Sequence, residues 1–106
     1  MEFRTIGVTI TDKQGKDVEL DDFYVIKIAA NDTILSKADN PYQSFEYKGY
    51  YVILTDNEMH HTNNKGGNLF NFVGFLNTDK VVDQTYRISH DNCHIKLISG
   101  ETQVII

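Results

Sequence analysis

A chain of 106 residues with 41% hydrophobic and 24% charged content matches globular averages, which excludes disordered and collagen-like classes and allows one sizeable core. Its net charge is -5 and its ten Lys and Arg are scattered, so it lacks the basic patch that displaces counterions from a polyanion; nucleic acid and anionic membrane are not expected partners. The single cysteine, Cys93, excludes an intrachain disulfide and a four-cysteine zinc site.

No run approaches the ~20 apolar residues of a membrane-spanning helix. The start, Met1 to Val8, lacks the basic and apolar regions of a signal peptide, so any export signal is expected to have been removed before Met1. With no internal repeat and no linker, residues 1–106 are expected to form a single domain.

From Thr5 to Thr11 the residues alternate, with Ile6, Val8 and Ile10 on one face, the period-two signature of a half-buried strand. Asp12 to Lys16 follows as a turn built on Gly15, and Val18 to Leu20 extends the return. Phe23 to Ala30 is the next strand, expected to set Tyr24, Ile26, Ile28 and Ala30 inward and Val25 and Lys27 outward. Residues 36–42 read as a polar surface loop holding the sole proline, Pro41, and Gln43 to Lys48 alternates weakly. Tyr50 to Thr55 is rich in aromatic and β-branched residues and reads as a strand. Asp56 to Asn68 is the longest polar stretch, and within it His60 to Gly67 reads as a mobile loop. Leu69 to Leu76, LFNFVGFL, is apolar on both faces, which places it at the centre of a sheet or under a partner.

The last quarter, Val81 to Ile106, holds three apolar runs separated by turn-formers and closes on Val104, Ile105 and Ile106, a final strand rather than a solvated tail. Many short strands joined by turn signals, with no sustained helical period, predict an all-β fold, an antiparallel β-sandwich or barrel.

His90-Asp91-Asn92-Cys93-His94 is the sharpest cluster of chemically capable residues, since imidazole, thiolate and carboxylate all ligate transition metals. If extended, His90 and His94 lie about 13 Å apart and cannot share one ion; a tight turn at Asp91-Asn92 would be needed to bring them together, with His60 or His61 contributed by the long loop. The competing reading follows the alternation Cys93, Ile95, Leu97 and places the thiol on the core face as a small hydrophobe. Cys93 cannot readily use His94 as a base, because adjacent strand residues face opposite ways. The acidic run at Asp17, Glu19, Asp21 and Asp22 lacks the residue order of a calcium loop. The aromatic set Tyr42, Phe45, Tyr47, Tyr50 and Tyr51 is the expected binding surface if it is exposed, for glycan or a protein partner.

The opening block Gly7-Val8-Thr9-Ile10-Thr11-Asp12-Lys13-Gln14-Gly15-Lys16-Asp17-Val18 resembles the first hairpin of transthyretin-like, carboxypeptidase-regulatory-like sandwiches, which begin with a strand, an Asp-x-x-Gly turn and an apolar return. The closing block, Val81-Val82-Asp83 through Asp91-Asn92-Cys93-His94-Ile95 to Ser99-Gly100, is similar to small exported domains of Bacteroidetes bacteria. In the middle, Thr55-Asp56-Asn57-Glu58 departs from the regulatory-domain pattern by lacking the following Gly-x-Phe. The resemblance implies an antiparallel Greek-key β-sandwich of seven or eight strands, transthyretin-like or immunoglobulin-like, in a domain that is periplasmic, secreted or held at the cell surface, without catalysis of its own. The expected function is therefore a non-catalytic structural or interaction module with no cofactor. The alternative is a metal-binding or hydrolytic protein using His60, His61, His90, Cys93 and His94. Self-association is expected through Leu69 to Leu76 or through the C-terminal edge strand.

Overall fold

A computed structural model describes residues 4–37 and 49–106. Among them are eight strands: β1 (Thr5–Thr11), β2 (Asp22–Lys27), β3 (Asp32–Ser36), β4 (Tyr50–Thr55), β5 (Asn68–Leu76), β6 (Asp79–His90), β7 (Ile95–Ser99) and β8 (Gln103–Ile105). They form a three-stranded sheet, β4-β1-β8, packed against a five-stranded sheet, β3-β2-β5-β6-β7. The chain is an all-β sandwich, and the alternation that predicted it lies in the pleat: inward rows from both sheets meet in one core.

Hairpins β2–β3, β5–β6 and β6–β7 lie within the larger sheet and are antiparallel. The smaller sheet is assembled from distant segments, β1 pairing antiparallel with β4 and parallel with β8. The final strand is thus in a sheet, as its apolar residues demanded, but it runs alongside the first strand rather than against its predecessor.

The core is centred on aromatic contacts across the sheets. Tyr51 of β4 meets Phe23 of β2 edge-on with ring centroids 4.8 Å apart, and both rings contact Phe72 of β5. Phe70, Phe72 and Tyr86 are fully buried, each contributing on the order of 2–3 kcal/mol by leaving water. β5 occupies the middle of the larger sheet, paired with β2 on one side and β6 on the other, where its two-faced apolar sequence placed it.

Three expectations are corrected. In β2 it is Phe23 and Val25 that are buried, whereas Tyr24 and Ile26 lie on the outer face; the frame was set one residue off because apolar residues occupy both phases of Phe23-Tyr24-Val25-Ile26. The strand also ends at Lys27, and Ile28–Ala30 forms an exposed 3-10 turn closed by Asn31 in the left-handed conformation. The polar stretch after β4 is not a free loop: Asp56–His61 is a 3-10 segment, started by Thr55 and Glu58 as a capping box.

Two glycines with positive φ separate turn chemistry from packing. Gly15, at φ 80, would place a side chain in open space, whereas Gly100, at φ 133 between β7 and β8, would place one 2.2 Å from the Tyr86 ring. The Tyr86 hydroxyl donates to the Glu101 carbonyl at 2.5 Å, fixing the crossover that delivers β8 to β1. Burial beside Glu101 pushes the Tyr86 pKa up to about 12. Gly100→Ala is therefore expected to destabilise by roughly 3 kcal/mol and Gly15→Ala by about 1 kcal/mol, read by urea unfolding. Equal losses would show that backbone conformation alone sets both costs.

Candidate functional site

The expected aromatic surface divides. Tyr42, Phe45 and Tyr47 lie outside the described residues. Tyr51 is 4% exposed; its hydroxyl donates to the Val18 carbonyl at 2.6 Å and accepts from the Leu20 N–H at 2.7 Å, tying the segment before β2 to β4. Burial raises its pKa, as it does that of half-buried Tyr50, whose ring lies where Gly7 has no side chain. Tyr51 thus works as a core residue with a polar tip satisfied inside the fold.

His90 and His94, on either side of the Asp91-Asn92 turn, are held by separate partners. Asp91 opens a four-residue turn: its N–H donates to the His94 carbonyl, and its side chain accepts from the Cys93 and His94 N–H groups at 3.0 and 2.8 Å. Those two backbone bonds hold the Asp91 carboxyl below its usual range. Asn92 adopts a left-handed conformation at φ 74. Strand alternation accordingly begins at Ile95, and Cys93 is exposed in the turn, correcting the expectation that its thiol faces the core.

His94 turns towards Asp56, its Nδ1 lying 2.8 Å from the carboxylate. Asp56 also accepts from the Arg4 N–H and the Ile95 N–H, each at 2.8 Å, so one carboxylate fastens the entry to β1, the end of β4 and the start of β7. Burial pushes its pKa up, but the bonds from Arg4, His94 and Ile95 outweigh this and hold it below the ordinary carboxylate range.

His90 is engaged elsewhere. Its Nδ1 lies 2.6 Å from the Thr62 hydroxyl, which also lies 2.8 Å from the Met59 carbonyl. A hydroxyl has one proton, so if it donates to Met59, His90 must carry its proton on Nδ1. Asn63 completes this end: its side-chain oxygen accepts from the Lys65 and Gly67 N–H groups, and its carbonyl accepts from Ser89. The His60 and His61 rings lie with centroids 4.1 Å apart and planes tilted by 41°, and burial, then His60 and Lys27, hold the His61 pKa low. Among the described residues no three His, Cys, Asp or Glu side chains group to hold a metal ion. The turn at Asp91-Asn92 does form, but it sends His90 to Thr62 and His94 to Asp56.

The outer face of the five-stranded sheet carries one side of the two-faced run Leu69 to Leu76, which the sequence marks as a central strand or one lying under a partner. Phe70 and Phe72 take the inner face of β5, which leaves Leu69, Asn71, Val73 and Phe75 outward. The register sets Tyr24 beside Val73 and Ile26 beside Asn71, and the Tyr24 and Phe75 rings lie 5.9 Å apart. Val73 is only 4% exposed although it faces away from the core. On the β6 side the face turns polar: Asn71 donates to Asp83 at 2.6 Å and accepts from Thr85 at 2.9 Å, and Lys80 lies 3.2 Å from Asp83. The bonds from Asn71 and Lys80 lower the Asp83 pKa. The signal for this face was the unbroken apolar run in β5, which no single buried layer can absorb.

No family model, curated protein or solved structure matches this chain.

Asp56→Asn is expected to destabilise by about 3 kcal/mol at about pH 6, because backbone donors and a histidine lose a charged acceptor. Because the folded pKa of Asp56 is lowered, its contribution is fully present above the unfolded value of about 3.9 and is lost as pH falls below it through the folded value. Urea unfolding of both proteins should thus show a gap that narrows towards about pH 3. A gap independent of pH would show that the carboxylate charge does not hold this end together.

Proposed function

We propose that this chain is a non-catalytic interaction module of an exported bacterial protein, presenting the outer face of its five-stranded sheet to a protein partner. The observation that carries the reading is the apolar stripe of Tyr24, Ile26, Val73 and Phe75 on that face, bordered by Asp22 and by the charged side of β6. An apolar centre with a polar rim is the anatomy of a protein interface. The non-catalytic part draws support from the histidine end, where Asp56, Asp91 and Thr62 direct their polar atoms to backbone groups and imidazoles. The exported setting draws on the resemblance of the Gly7 to Val18 hairpin to carboxypeptidase-regulatory-like sandwiches.

The open face is tested with the apolar dye anilinonaphthalenesulfonate at low protein concentration. The folded protein should enhance its fluorescence, and Ile26→Thr with Phe75→Thr should abolish the enhancement while changing stability by only about 1 kcal/mol. Unchanged fluorescence in the variant would place the dye, and any docking face, elsewhere.

Zinc titration addresses the metal-binding alternative. The His90 and His94 ring NMR signals are expected to respond independently; stoichiometric binding that broadens both together would favour that alternative.

A further inference from the structure

We infer that the partner fitted by the outer face of the five-stranded sheet is a second copy of this chain, stacked face to face about a two-fold axis running along β5. The inference rests on the open face proposed above and adds its occupant. Its basis is the charge pattern on the columns flanking β5. At the level of Phe75 the neighbours are Asp22 on the β2 side and Lys80 on the β6 side. One level along, Val73 lies between Tyr24, whose hydroxyl can donate, and Asp83, a carboxylate that accepts from Asn71 and Lys80 on one oxygen each and keeps lone pairs for a further donor.

A two-fold axis along β5 lays each β2 column over the partner's β6 column at the same level. Asp22 then meets the partner's Lys80, Tyr24 meets the partner's Asp83, and Phe75 meets its own copy beside Val73, which is already buried within the chain. Both sides of the apolar stripe are complementary in one operation, the self-matching that an isologous interface requires. A two-fold axis running across the strands would instead set Asp22 on the partner's Asp22 or on its Ile26, leaving a repelled or unpaired charge.

The size of the face sets the strength. Five strands at about 4.8 Å spacing and roughly six residues in length cover roughly 480 Å², or roughly 1,000 Å² for both partners, the low end of specific interfaces. The dimer is therefore reversible, and its population rises with concentration.

The test is sedimentation velocity of the full chain over a concentration series, with charge-swapped variants whose folding is checked by circular dichroism. The native chain should pass from monomer to dimer. D22K and K80D should each be monomeric at concentrations where the native chain dimerises, since each opposes like charges across the axis. Mixing the two should restore a heterodimer, because both charge pairs are then opposite in sign, and the double variant D22K/K80D should dimerise on its own. A native chain that stays monomeric overturns the inference while leaving dye binding, and hence the open face, intact. Dimerisation of the single variants at native strength, or failure of the mixture and the double variant to associate, would place any self-association elsewhere, such as the β8 edge, where Ile105 is 69% exposed.

Discussion

A strand with apolar side chains on both faces can give only one of them to a two-layer core, and that constraint shapes this molecule. β5 buries Phe70 and Phe72 in the core, Phe72 against Tyr51 and Phe23, and the same pleat turns Leu69, Val73 and Phe75 the other way. Because β5 is central, its outward residues are flanked by strands on both sides, and Val73 is only 4% exposed. An apolar outer row is a cost unless something else covers it. The outer face and its charged borders therefore follow from the position of one strand.

The two ends of the sandwich solve a different problem. The smaller sheet is built from segments far apart in sequence, and β1 needs fastening at its start and finish. At its start Asp56 gathers the N–H groups of Arg4 and Ile95 together with His94; at its finish Tyr86 and Gly100 steer the crossover into β8. Polar residues that look equipped for chemistry are thus consumed in closing the ends. A buried acceptor with several donors is costly to disturb, which is why these side chains act as fasteners.

Much of the architecture was legible in the residues. The alternation in β1 placed Val8 and Ile10 inward, and the two-faced run placed β5 centrally. The facing of β2 was not, because apolar residues in both phases make the pattern ambiguous by one residue, and only pairing with β5 settles it. The capping box at Thr55 and Glu58 was legible but hidden inside a stretch read for its polarity. The role of Asp56 was beyond the sequence altogether, since its partners Arg4 and Ile95 are 52 and 39 residues away. Cys93 was misplaced because strand alternation was extended through a turn that Asp91 and Asn92 interrupt.

The face assignment of β2 and β5 is measured most directly by methyl NMR with a water-soluble paramagnetic agent, on protein dilute enough to be monomeric. Ile26 and Leu69, on the outer face, are predicted to broaden strongly, while Val25 and Ile88, inside the core, stay sharp. Broadening of Val25 with protection of Ile26 would contradict the account, because the strand would then present its other side to the core and the apolar stripe would not exist.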